Sequence, residues 1–140
     1  MTIAVDFDGT IVTNKYPRIG NELPFATDTL KTLVREGYQL ILWTCREGEL
    51  LEEAIEWCRQ RGLEFYAVNR DYPEDGPETN PRYTRKLKAD LFIDDRNIGG
   101  LPDWGTIYHL LHSHRSLEEL LLEEVGHQRK KKKKKSWWPF

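Results

Sequence analysis

Thr2-Ile3-Ala4-Val5-Asp6-Phe7-Asp8-Gly9-Thr10 is the stretch on which the fold turns. Its first half is short and apolar and contains β-branched residues, which suits a buried, pleated strand. Its second half brings two carboxylates, a glycine and a hydroxyl to the strand's end. Asp6 and Asp8 are two residues apart, so on a fully extended backbone they share one face. A turn near Gly9 still lets both point into a crevice.

Outward from this strand, short apolar runs alternate with stretches of helical spacing. Tyr38 to Trp43 reads as a second buried strand, Leu63 to Val68 as a third, and Ala89 to Ile93 as a fourth that runs into Asp94 and Asp95. Helices are predicted from Phe25 to Glu36 (Leu30, Leu33 and Val34 on one face, Gly37 as the stop) and from Glu49 to Arg61 (Leu51, Ala54, Ile55 and Cys58 on one face, Gly62 as the stop). Two more are predicted, over Trp104 to His114 and from Ser116, whose capping-box partner is Glu119. Residues 11 to 23, with Pro17 and Gly20, read as a loop or small flap. Residues 69 to 84, with Pro73, Gly76, Pro77 and Pro81, read as a long irregular loop of the kind that usually serves function or is disordered. This alternation predicts an α/β protein with a mainly parallel sheet covered on both faces.

The 140 residues fit a single domain, and the apolar share of 39% with a charged share of 31% suits a soluble globular chain. No apolar stretch approaches the roughly 20 residues that span a bilayer. The sequence opens on its strand with no basic leader and apolar run, so a cytoplasmic location is expected. Cys45 and Cys58 make neither a disulfide framework nor a metal-ligand pattern and read as reduced thiols. The net charge of −2 hides an asymmetry: Arg129 and Lys130 to Lys135 are seven cations without an acid, and setting them aside leaves 14 basic against 23 acidic residues, a body charge of −9. The chain therefore divides into a catalytic domain over 1–128 and a basic, aromatic tail over 129–140. An acidic body makes a poor general nucleic-acid surface, because affinity for phosphate backbones comes from cations that neutralise them. Blocks of like charge are commonly solvated ends. Lysines beside Trp137-Trp138-Pro139-Phe140 could instead touch anionic lipid or nucleic acid, fold onto the acidic body, or pack on another subunit of a homo-oligomer.

Four features fall at strand ends or just before a strand: Asp6 with Asp8, Thr44, Lys86, and Asp94 with Asp95. Ligands of open parallel sheets bind outside the carboxyl ends of the strands, so these groups can meet across the sheet. Clustered carboxylates repel one another unless a cation sits among them. Oxygen donors without His or Cys favour Mg²⁺, which uses one or two carboxylates, waters and substrate phosphate. A carboxylate can attack phosphorus, and a second, protonated carboxyl can protonate the leaving oxygen. Thr44 and Lys86 suit the equatorial phosphoryl oxygens. Taken singly, each Asp at a strand end would more often be a turn residue or helix cap; the four features in this order are what make the chemistry the better account.

With these residues in view the sequence resembles the haloacid dehalogenase-like (HAD) superfamily over about residues 1 to 110. Asp6-Phe7-Asp8-Gly9-Thr10 matches its first motif, Leu42-Trp43-Thr44 its second, Lys86 its third and Ile93-Asp94-Asp95 its fourth. The likeness extends to small bacterial HAD-like hydrolases with a similar strand and turn over Ala89 to Arg96. The resemblance implies a Rossmann-like three-layer core and a Mg²⁺-dependent phosphatase, with Asp6 as nucleophile and Asp8 as acid, then base. It implies metal binding by the Asp6 carboxylate, the Asp8 backbone carbonyl and one of Asp94 and Asp95, the other lying alongside or acting through water. Lys88 competes with Lys86 for the third-motif role. The segments between motifs are too short for a cap domain, so the enzyme is expected to be capless, taking large phosphorylated substrates or small ones enclosed by neighbouring subunits. Arg46 is a candidate for substrate binding, with Lys15, Arg18, Arg70, Arg82 and Arg85 further candidates against the ordinary reading of solvated charges. Cys45 beside Thr44 has no evident His partner. The same core would serve a phosphotransferase. A non-catalytic binding or regulatory module is the alternative of a different class, since receiver domains also gather acids, a Thr and a Lys at strand ends.

Overall fold

The computed structural model describes residues 1–112 and Leu122. Its centre is β1, Thr2–Val5, which lies between two parallel partners. On one side is β4, Gln39–Leu42, in the register Thr2↔Gln39 to Val5↔Leu42; on the other is β6, Leu91–Ile93, in the register Ile3↔Leu91 to Val5↔Ile93. The two-residue β5, Ala67–Val68, extends the sheet beyond β4, giving the order β5-β4-β1-β6. Strands paired on both edges and covered on both faces become continuous apolar runs. Accordingly Ile3, Ala4, Val5, Leu40, Ile41 and Leu42 are all at most 1% exposed.

Helix α1, Ala26–Arg35, connects toward β4, and α2, Gly48–Gln60, connects β4 to β5. Leu30 and Leu33 of α1 and Ala54 and Cys58 of α2 are buried as their spacing predicts, whereas Val34, expected on the same face as Leu30 and Leu33, is exposed. Both helices close in the same way. Tyr38 N–H reaches back to Leu33 O and Gly37 N–H to Val34 O; Leu63 N–H reaches Cys58 O and Gly62 N–H reaches Arg59 O. These paired bonds satisfy carbonyls that each helix leaves free. The chain is thus an α/β protein with a mainly parallel sheet.

Residues 11 to 23 differ from a plain loop. They form an antiparallel hairpin of β2, Val12–Lys15, and β3, Arg18–Glu22, with Asn14↔Ile19 and Lys15↔Arg18 opposed. The third strand is shorter than Leu63 to Val68: Leu63 is spent closing α2, and Tyr66 N–H already bonds Leu40 O before β5 begins. The fourth begins at Leu91, two residues late.

The described residues form two compact units, Met1–Trp104 and the segment from Gly105 onward. Helix α3, Trp104–His112, spans that boundary. The helix expected from Ser116 and the tail from Arg129 lie outside the described residues, as does the expected boundary at 128. Among the described residues no helix is long and apolar enough to cross a membrane.

Candidate functional site

The carboxyl ends of β1, β4 and β6 finish level with one another. Asp6 N–H donates to Ile93 O at 3.0 Å, and Trp43 N–H donates to Val5 O at 2.8 Å. The side chains that follow these strands therefore share one crevice. After Asp8 the chain turns, with Gly9 N–H bonding Val12 O at 2.7 Å and Ile11 N–H bonding Phe7 O at 3.0 Å. The turn buries Thr10, whose hydroxyl donates to Asp6 Oδ2 at 3.1 Å and accepts from Asp95 N–H at 3.1 Å. Thr10 O in turn accepts from the buried Trp104 Nε1–H at 3.0 Å. One hydroxyl thus fixes the Asp6 carboxylate and ties it to the end of β6.

Asp6, Asp94 and Asp95 each place a carboxylate oxygen within 4.8 Å of the others. Burial first, then the Asp94 charge and the Asp95 carboxyl, push the Asp6 pKa up to about 7; the Thr10 hydroxyl and the Phe7 N–H oppose the shift. Asp95 Oδ1 is buried with no hydrogen-bond partner. A buried carboxylate oxygen without a donor is expensive unless something positive meets it. An all-oxygen set of three acids with one such orphan fits a hard divalent cation.

These facts set a pH dependence. An acid whose pKa is higher folded than unfolded holds its proton more tightly in the folded chain. Its contribution to stability is complete below the ordinary value of 3.8 and is lost as pH rises through about 7. In chelator-treated protein at pH 8, Asp6→Asn is therefore expected to melt above wild type, by roughly 5 °C or less because Asp6 is partly exposed and screened. The gap should close toward pH 5. A divalent cation at pH 8 should raise the wild-type melting temperature and leave Asp6→Asn nearly unmoved; equal responses of both would count against a cation at this cluster.

Asp8 has a different partner. Arg46 Nε donates to Asp8 Oδ2 at 2.7 Å and Nη2 to Asp8 Oδ1 at 2.8 Å. The guanidinium is 1% exposed, and it also donates to Pro17 O (3.2 Å), Leu50 O (3.3 Å) and Arg18 O (3.0 Å). Its carbon lies 5.3 Å from the ring centroids of both Phe7 and Tyr16. The bond and charge from Asp8 outweigh burial and raise the Arg46 pKa further. This corrects the expectation that Arg46 binds substrate: a guanidinium has five N–H donors, and all five are taken. Asp8 likewise gives its side chain to Arg46, leaving Asp6, Asp94 and Asp95 as the side chains gathered for a cation.

The crevice is a cavity of about 620 Å³. Asp6, Asp8, Asp94, Thr44 and Arg46 line it together with Asn14, Tyr16, Trp43, Cys45 and Arg96. Thr44 is held from both sides, its N–H by Asn69 Oδ1 at 2.8 Å and its hydroxyl oxygen by Arg46 N–H at 3.1 Å, which leaves the hydroxyl proton to be donated. Asn69, at φ 55, takes up the left-handed conformation that Asn tolerates better than most residues.

Lys86 does not join this group. It is exposed, does not line the cavity, and its carbonyl accepts from the Thr84 hydroxyl at 3.0 Å. Lys88 is exposed as well, with its N–H on Asp71 Oδ1 at 2.7 Å, and lines a separate cavity of about 230 Å³ with Arg82. Lys15, Arg18, Arg70 and Arg85 line neither cavity. Arg96, which sequence reasoning missed, borders the cavity; its signal was its place two residues past Asp94, whose Oδ1 accepts the Arg96 N–H at 2.9 Å. Asn14, Tyr16 and Asn69 carry no comparable signal.

Fold and site together define a parallel α/β protein with a three-carboxylate cluster at the carboxyl ends of its central strands. No family model and no curated protein matches the chain. Among solved structures it is similar to a conserved protein coded by a Bacteroides thetaiotaomicron locus, at 63% identity over 86% of this chain and 96% of that one, with a TM-score of 0.79. The chain belongs to the same family as that protein.

Proposed function

We propose that this chain is a magnesium-dependent phosphomonoesterase with a capless, Rossmann-like core of the HAD type, and that Asp6 is its nucleophile. The observation that carries the reading is the Asp6 carboxylate. It stands at the end of the central strand, is oriented by Thr10, belongs to the acidic triad and opens on a cavity that also holds Thr44 and Asp8. A purely structural carboxylate in that position would be matched by local donors, whereas this cluster contains an unpartnered buried oxygen.

In this mechanism an Asp6 oxygen forms a bond to phosphorus while the ester P–O bond breaks, giving an aspartyl-phosphate. Asp8, once one of its oxygens leaves Arg46 to carry a proton, gives that proton to the departing oxygen. It then takes one from the water that attacks the aspartyl-phosphate, which returns Asp6 and releases phosphate. Thr44 donates its hydroxyl to a phosphoryl oxygen. Mg²⁺, held by Asp6, Asp94 and Asp95 with the Asp8 carbonyl, would supply positive charge against the phosphoryl oxygens. With Lys86 outside the cavity, the third-motif cation has no counterpart there; Arg96 is the cation best placed to meet a substrate at the rim. Between the first motif and α1 the chain holds no more than the hairpin of β2 and β3, which suits an enzyme without a cap.

A panel of phosphomonoesters tests this. Phosphate release from at least one member is expected with Mg²⁺ and should be lost on chelation. Folded protein that turns over no member with metal present would overturn the reading in favour of a binding module.

A further inference from the structure

Among the described residues Arg46 is the least exposed charged side chain. Its five donors are divided with purpose. Two go to Asp8, two to the hairpin carbonyls of Pro17 and Arg18, and one to Leu50 O in α2. The same guanidinium faces the Tyr16 ring, and Tyr16 and Asn14 of that hairpin line the cavity. A second link from Asp8 to the hairpin is a backbone bridge to Val12, at the hairpin's base.

We infer that Arg46 is a positioning residue which makes the orientation of Asp8 and the seating of the β2–β3 hairpin a single cooperative arrangement. A lysine could not replace it, because one ammonium cannot grip both carboxylate oxygens and two carbonyls of another strand pair. The catalytic consequence rests on the phosphatase reading: a leaving group that presses on Tyr16 or Asn14 acts on Asp8 through the guanidinium. The structural coupling stands without that reading.

The test compares wild type, Asp8→Asn, Arg46→Lys and the double variant of the whole chain. The first measurement is amide hydrogen exchange at Lys15, Tyr16 and Arg18, which needs no substrate. Asp8→Asn is expected to speed exchange at this tip about tenfold, Arg46→Lys about as much, and the double variant no more than either, with the amides of β1 and β4 unchanged. Tip exchange unmoved by Asp8→Asn, or effects that multiply in the double variant, would overturn the coupling. If Arg46→Lys does not fold, the Asp8→Asn comparison decides alone. The second measurement is steady-state kinetics on any phosphomonoester that is turned over. Arg46→Lys should lower kcat by at least about tenfold with KM little changed, and should cost nothing further once Asp8 is Asn. Additive losses in kcat would mean that Arg46 acts otherwise than through Asp8. A wild type without turnover defeats the phosphatase reading alone, and exchange then judges the coupling.

Discussion

Asp6→Asn is expected to lower Mg²⁺-dependent phosphate release by about 10⁴-fold or more, the scale seen when a catalytic nucleophile is removed from an enzyme that works through a covalent intermediate. The substitution keeps shape and volume and removes only the charge and nucleophilicity of one oxygen. Thr10 can still donate to the new amide oxygen, so the β1 turn keeps its anchor. Loss of activity can then be separated from loss of fold in a single preparation. Without metal at pH 8 the variant should be the more stable protein, because the shift that holds the Asp6 pKa near 7 is a cost of keeping a buried carboxylate beside Asp94 and Asp95. An inactive but stabilised protein is the signature of a residue kept for chemistry at the expense of stability. Asp8→Asn should be milder, by about 10² to 10⁴-fold, since a proton donor matters less than the attacking atom. Release by Asp6→Asn within tenfold of wild type would mean that Asp6 is not the nucleophile.

How far the sequence carried the fold follows from what each element buries. β1 and β4 are sealed on both faces, so their composition was forced and both strands were legible. Helices α1 and α2 were equally plain, because each pairs one apolar face with a glycine stop. The hairpin was not, since most of Val12–Lys15 and Arg18–Glu22 is exposed and no alternation of apolar and polar residues marks it. Asp6, Asp8, Thr44 and Asp94 could be placed together from the sequence, and line one cavity, because strand ends converge in an open parallel sheet. Arg46 was found for the wrong task. From composition an arginine is a solvated charge or a phosphate ligand. That it should be buried follows only once β1 and β4 are known to be neighbours, which sets Asp8, three residues past Val5, beside Arg46, four past Leu42. Lys86, matched to the third motif by its place before β6, does not line the cavity, and its position follows from a loop whose course no spacing along the chain gives.

Gly9→Ala is expected to be strongly destabilising. At φ +88 an added Cβ is strained wherever it sits, at a cost of about 1–2 kcal/mol for a left-handed L-residue. Here it would also overlap Asp95 Oδ2 and lie 2.7 Å from Asp95 Cγ. The Asp95 carboxyl stands against the carboxyls of Asp6 and Asp94, so moving it out of the way of the new Cβ disturbs the acidic cluster. If the Asp95 backbone shifts as well, its N–H bond to Thr10 carries the shift to Asp6 Oδ2. We expect a total loss of about 3 kcal/mol, roughly 10 °C in melting temperature for a chain of this length. Gly99→Ala separates the two causes. Gly99 has a similar φ of +91 but nothing within 4 Å of its added Cβ, so it should lose only the backbone cost. The difference between the variants measures how tightly the β1 turn is built against Asp95. If that contact serves the cation cluster, Gly9→Ala should also blunt the stabilisation by divalent metal, whereas Gly99→Ala should retain it. Equal losses in both variants, with metal response intact in each, would mean that the turn at Gly9 and the acidic triad are built independently.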